Sequence, residues 1–137
     1  MKFLLAQINP VVGDLEGNAK KILCTASKAS STSADLVLTP ELSLWGYPAN
    51  DLLLKKNLLK NQYQILDQLA LEIHKNYENL SITVGIAEII NDSFFPNLYN
   101  SIALLERGEW KIIARKIILP TYEVFHQILH MLSLIHI

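Results

Sequence analysis

Asp35-Leu36-Val37-Leu38-Thr39-Pro40-Glu41-Leu42-Ser43-Leu44-Trp45-Gly46-Tyr47-Pro48 decides how this chain is read. Leu36, Val37 and Leu38 make a short apolar run, the pattern of a buried strand. Pro40 ends the run, because proline has no N–H for a ladder. Glu41 follows directly, so a carboxylate stands at the mouth of that strand among Pro40, Leu42, Leu44 and Trp45. Removing water from a carboxylate disfavours its charged form, which suits a general base. Read alone, a Glu after a strand is more often an exposed loop residue that caps a neighbour. The rest of the chain shifts that reading.

Upstream, Lys2 to Ile8 reads as a first strand with apolar residues on both faces, which places it mid-sheet. Asn18 caps a helix running to about Ser30, with Ala19, Ile22, Leu23, Ala26 and Ala29 along one side at the helical period. Cys24 falls on the other side. This strand–helix–strand unit makes the two strands parallel. Downstream, Leu59, Tyr63, Leu66, Leu69, Ala70 and Ile73 mark a second helix from about Asn57 to Asn76. Leu80–Ile89, Leu98–Glu106 and Glu109–Ile118 read as three more strands, the last two joined as a hairpin at Arg107-Gly108. Trp110, Ile112 and Ala114 alternate with Lys111, Ile113 and Arg115, so one face of the last strand is drier. The order β-α-β-α-β-β-β predicts an α/β layered protein with a mixed sheet.

The 137 residues are enough for one domain, and half are hydrophobic. A formal net charge of −1 with no basic stripe gives no footing for nucleic acid. No apolar stretch reaches a membrane-spanning length, and the N-terminal run is too short and too polar for a signal peptide. One cysteine, Cys24, excludes a disulfide within the chain, so a cytoplasmic location is the expectation.

A second stretch carries chemistry: Arg115-Lys116-Ile117-Ile118-Leu119-Pro120-Thr121-Tyr122-Glu123-Val124-Phe125. Lys116 stands near a strand end, as Glu41 does. Strand ends remote in sequence meet at one sheet edge, where a Lys beside a Glu holds the carboxylate and stabilises an oxyanion. Taken alone, such a Lys is usually a solvated charge. His126-Gln127-Ile128-Leu129-His130 has the i, i+4 spacing of a metal site, but Gln127 stands where the zinc-protease motif needs Glu and no third ligand is in view, so no metal is expected.

Together these residues resemble the carbon–nitrogen hydrolase, or nitrilase, superfamily. Pro40-Glu41-Leu42, Arg115-Lys116 and Leu119-Pro120 carry the resemblance, supported by Leu5–Asp14, Gly17-Asn18, Val84-Gly85 and Leu98–Leu105. Gly46–Leu54 and Leu119–Phe125 are similar to one branch, the N-terminal glutamine amidohydrolase domain of bacterial glutamine-dependent NAD⁺ synthetase. The resemblance covers residues 1–125. It implies a four-layer αββα sandwich, here incomplete, with a Glu-Lys-Cys triad. Glu41 matches the general base and Lys116 the residue that stabilises the tetrahedral intermediate. Tyr122 matches an aromatic position near the glutamine pocket, and a packing tyrosine is the alternative.

The matching nucleophilic cysteine lies beyond Lys116 in that family, and no cysteine follows Lys116 here. Cys24, in the first helix, does not fit the role. The implied reaction releases ammonia from glutamine and passes it to a separate ligase domain, which uses ATP and Mg²⁺; this domain itself would need no cofactor. The alternatives are another carbon–nitrogen hydrolase, such as an amidase, nitrilase or carbamoylase, or a non-catalytic protein of the same fold. The family also implies homo-oligomers of the intact protein. Residues 126–137 break the pattern and read as a non-native tail, with a genuine short C-terminal helix as the alternative; because the native continuation and its cysteine nucleophile are lost, the chain itself is expected to be inactive.

Overall fold

The computed structural model describes residues 1–91 and 97–116. The elements in chain order are β1 (Phe3–Leu5), α1 (Leu15–Ser31), β2 (Leu36–Leu38), a 3₁₀ helix (Asn50–Leu54), α2 (Lys56–Asn76), β3 (Ser81–Asn91), β4 (Asn97–Glu106) and β5 (Glu109–Arg115). The helices form where the apolar residues keep helical spacing. In α2, Leu59, Leu66 and Ile73 recur every seven residues and are all buried. Helix α1 starts four residues before the expected point. Asp14, not Asn18, is its cap, accepting the Gly17 N–H at 2.9 Å. Asn18 is instead fully buried: it accepts the Val11 N–H and donates to the carbonyls of Val11 and Leu44. It ties the chain after β1 to the loop after β2.

The five strands form one sheet in the order β1-β2-β3-β4-β5. The pairs β1–β2 and β2–β3 are parallel, while β3–β4 and β4–β5 are antiparallel. Both parallel links cross over through a helix, and the late strands meander, as the mixed-sheet expectation required. The register sets two faces. Val37, Ile82, Val84, Ile86, Ala103 and Leu105 line the face under α1 and α2 and are fully buried.

The opposite face is apolar but open. Phe3 and Leu5 of β1 are exposed, Leu5 at 73%, and Ile102 of β4 is 41% exposed. One expectation is thereby corrected. Among the described residues β1 is an edge strand, not a mid-sheet one, because β2 is its one partner there. Ala6, Val37, Leu66, Leu69 and Val84 are buried in the core, whereas Leu4, beside Val37 on the helix side of the edge strand, and Ile8 are partly buried, and Ile102 lies on the open face. On β5, Trp110, Ile112 and Ala114 are the drier residues, as the alternation required. A register shift between Ile102 and Ala103 adds Ile113 to β5, so Ala114 pairs with Ile102 and Arg115 with Ser101. The sequence alternation alone did not show that shift.

Candidate active site

The parallel strands end, β4 begins and β5 ends at the same rim of the sheet. Glu41 follows β2 there and Lys116 follows β5. The Lys116 Nζ stands 2.6 Å from Glu41 Oε1, across 75 positions of sequence. The expected pair therefore forms, but not between neighbouring strands: β3 and β4 lie between β2 and β5. What closes that gap is the path of the chain after Pro40.

After Thr39 the backbone leaves the line of β2 and arches over β3 at Gly85. A Cβ on residue 85 would fall 2.4 Å from Leu42 N and 2.8 Å from Pro40 O, so only glycine admits the arch. A hydroxyl network fixes its feet. Thr39 Oγ1 donates to the Thr83 carbonyl at 2.7 Å and lies 2.7 Å from Ser43 Oγ, which accepts the Gly85 N–H at 2.9 Å. The Leu44 N–H then donates to the Gly85 carbonyl at 3.1 Å, continuing the ladder where β2 stops. Leu42 takes a left-handed φ of 48°, a conformation costly for a side chain with a Cβ and concentrated at functional turns. Burial of its side chain holds it there. Behind the arch, Trp45 Nε1 donates to Gln62 Oε1 at 2.7 Å, and the Gln62 amide is bonded in turn to the Ala87 carbonyl.

This geometry corrects the expected surroundings of Glu41. Leu42, Leu44 and Trp45 turn inward to the core under the helices, while Glu41 turns outward over the open face. Its side chain is 44% exposed and that of Lys116 27%, so the pair is half-solvated rather than buried. At that exposure the contact adds little to stability. Its value lies in aligning the two groups. A cavity of about 250 Å³ opens beside them, lined by Glu41, Lys116, Asn100, Thr83, Gly85 and Ile102 among others.

Two side chains that sequence reading passed over complete the rim. Asn100 of β4 donates through Nδ2 to Glu41 Oε1, and its backbone carbonyl accepts the Lys116 N–H at 2.9 Å. Glu88 of β3 grips Arg115 through two bonds of 2.6 and 2.7 Å and accepts from Ser101 Oγ at 2.7 Å. The Arg115 guanidinium also lies 5.2 Å above the Tyr99 ring. Burial pushes the Glu88 carboxyl up, but the bonds from Arg115 and Ser101 and the Arg115 charge outweigh it, leaving the group below the usual Glu range. This clamp fixes the end of β5 one residue before Lys116. The signals were faint: a Gly inside a strand pattern marks close backbone approach, and Asn100 is a lone amide in an apolar run.

Cys24 is exposed on α1, the helix over the other face of the sheet. Tyr122, His126 and His130 lie outside the described residues, as does the proposed boundary at 125. Among the described residues no group of three or more His, Cys, Asp or Glu is placed to hold a metal ion, and no helix is long and apolar enough to cross a membrane.

Fold and rim together define a layered α/β protein with a carboxylate–ammonium pair held at the strand ends. The family model for carbon-nitrogen hydrolases matches residues 5–133, and the chain belongs to that family. It is 39% identical over 123 residues to a glutamine-dependent NAD(+) synthetase of Synechocystis sp., covering 90% of this chain and 22% of that protein. Against the glutamine-dependent NAD(+) synthetase of Thermotoga maritima it is 37% identical over 127 residues, covering 93% and 21%. The structure of the Acinetobacter baumannii glutamine-dependent NAD+ synthetase superposes with a TM-score of 0.79 at 32% identity, over 94% of this chain and 23% of that one. An amidase from Nesterenkonia sp. shares the fold, with a TM-score of 0.70 at 21% identity over 90% and 45%. The nitrilase-like fold class is therefore established. The chain spans about a fifth of the length of the curated relatives it matches.

Proposed function

We propose that this chain is the first part of a glutamine-hydrolysing domain, in a longer protein that delivers the released ammonia to a ligase domain. The observation that carries the proposal is the contact of 2.6 Å between Glu41 Oε1 and Lys116 Nζ at the rim of a nitrilase-like sheet. Its relatives' names support glutamine as the ammonia source. In this reading Glu41 takes the proton of a cysteine thiol, and the thiolate sulfur bonds to the glutamine side-chain carbonyl carbon. Lys116 and a backbone N–H face the resulting oxyanion. Glu41 returns the proton to the departing nitrogen, which leaves as ammonia. Water then splits the thioester to glutamate and regenerates the thiol.

The nucleophile is not Cys24, which α1 carries on the far side of the sheet. The assignment gives this chain the base and the oxyanion partner, and leaves the cysteine to the continuation of the longer protein. Tyr122 is assigned to the glutamine pocket. ATP and Mg²⁺ belong to the ligase domain, which amidates nicotinic acid adenine dinucleotide. The intact protein is read as a cytoplasmic homo-oligomer.

The test is ammonia release from glutamine. The purified 137-residue chain is expected to show none. Turnover by this chain that Glu41→Ala abolishes would mean that a nucleophile resides in it, and the reading would be wrong. In the longer protein, glutamine-driven NAD⁺ formation is expected to be lost with Glu41→Ala while the ammonia-driven reaction persists. Hydrolysis of simple aliphatic amides or nitriles in preference to glutamine would instead favour another branch of the family.

A further inference from the structure

We propose that Asn100 is the positioning residue of the candidate site, holding Glu41 so that one carboxylate oxygen is left to exchange protons; this rests on the reading of Glu41 as the base. Two observations converge on it. Asn100 Nδ2 and Lys116 Nζ both donate to the same oxygen, Glu41 Oε1. The Asn100 carbonyl also accepts the Lys116 N–H at 2.9 Å. One residue thus touches the base through its side chain and the oxyanion partner through its backbone. Glu41 and Lys116 sit on segments 75 positions apart, and Asn100 of β4 stands between them in the sheet.

The chemistry gives the amide a task that Lys116 alone does not perform. A half-exposed carboxylate on an arch rotates about its last bond, presenting either oxygen to either partner. Two donors of different shape on Oε1 fix that rotation, and Oε2 becomes the oxygen that takes and returns a proton. Lys116 is an ammonium on a flexible stem and swings toward an oxyanion when one forms. The amide does not titrate. It donates to Oε1 when Glu41 is ionised and also when Oε2 carries the proton, because Oε1 is then a carbonyl oxygen. Asn100 therefore keeps the carboxyl plane fixed through both halves of a proton shuttle. Asp at this position would place a second carboxylate against the base and reverse the effect. The site also lies on the open face, so a change at residue 100 leaves the core under the helices intact.

The experiment uses the full-length protein that carries this domain, with glutamine-driven and ammonia-driven NAD⁺ formation measured separately. Asn100→Leu keeps the volume and removes the donor. It is expected to lower the glutamine-driven kcat by about 10- to 100-fold, a share of what acid–base catalysis contributes. The KM for glutamine is expected to stay within about 3-fold, because a proton-transfer defect acts on kcat. The ammonia-driven rate, which bypasses the site, is expected to hold. Asn100→Asp is expected to be at least as damaging. A glutamine-driven kcat within about 2-fold of the parent in Asn100→Leu, beside a dead Glu41→Ala, would overturn the proposal. If Leu prevents folding, seen as loss of the ammonia-driven rate as well, Asn100→Asp decides by the same criteria. A Glu41→Ala protein that still uses glutamine would defeat the reading of Glu41 itself, which is a different outcome.

Discussion

Gly85→Ala separates a positional account of Glu41 from a merely local one. The new Cβ would stand 2.4 Å from Leu42 N, 2.8 Å from Pro40 O and 3.0 Å from the Glu41 carbonyl carbon, where ordinary contact begins at 3.4 Å. All three are backbone atoms, so no side-chain rotation relieves the clash, and the arch must lift by about 1 Å. Overpacking of this kind costs about 1–3 kcal/mol. Alanine returns about 0.4–1 kcal/mol by restricting the unfolded chain, so the net loss is centred at about 1.3 kcal/mol and reaches about 2.6. Urea unfolding of the chain, at unchanged m-value, measures it. The lift also moves the carboxylate, and a misplacement of about 1 Å at reacting groups costs about 100-fold in rate. The glutamine-driven rate of the longer protein is expected to fall by that order while its ammonia-driven rate holds. Stability unchanged to about 0.5 kcal/mol, with the glutamine-driven rate intact, would refute the arch as the device that places Glu41.

Other perturbations test the frame behind the site. Leu66→Ala removes a fully buried α2 side chain and is expected to cost about 2–5 kcal/mol by urea unfolding; a change under about 0.5 kcal/mol would make α2 peripheral. Gln62→Leu leaves the buried Trp45 Nε1 and the Ala87 carbonyl without a shared partner, and a loss of about 2 kcal/mol or more is expected; a neutral result would mean that other groups satisfy both. Glu88 ionises more readily folded than unfolded, so its stabilisation is present at neutral pH and lost as pH falls below about 4.5. Glu88→Gln is therefore expected to be less stable than the parent at pH 7 and to converge with it toward pH 3; a constant gap across that range would count against the clamp on Arg115.

The element order was legible because periodicity reports burial. Leu59, Leu66 and Ile73 repeat at a helical interval and lie on one buried side. The apolar runs of β3 and β4 also read correctly as strands. Periodicity does not report which strand is an edge. Leu4 and Ile8 are as apolar as a central strand requires, yet among the described residues β1 has one neighbour, and its Phe3 and Leu5 are exposed. Nor does it show a register shift, which moved Ala114 beside Ile102 and turned Arg115 toward Glu88. At the site, Glu41 and Lys116 were legible as strand-end charges. Their meeting depends on Gly85 and Asn100, and both act through contacts made across the sheet. Nothing in the local sequence around Glu41 encodes the arch that carries it over β3; that information sits 44 residues away, in the bond from Gly85 to Ser43 and its neighbours.

The separation of Glu41 from Lys116 also sets a schedule for synthesis. A ribosome adding about 5–20 residues per second produces Lys116 some 4–15 seconds after Glu41. Strand β2 has its second neighbour only when β3 has been made, and the arch over residue 85 has nothing to close on before then. During that interval the nascent chain shows an apolar strand with a free edge, the kind of surface chaperones hold. The hairpin of β4 and β5 then adds Asn100 and Lys116 in quick succession, being short-range structure that closes fast. The carboxylate is therefore made early and recruited late, meeting Asn100 and Lys116 only when β4 and β5 are in place.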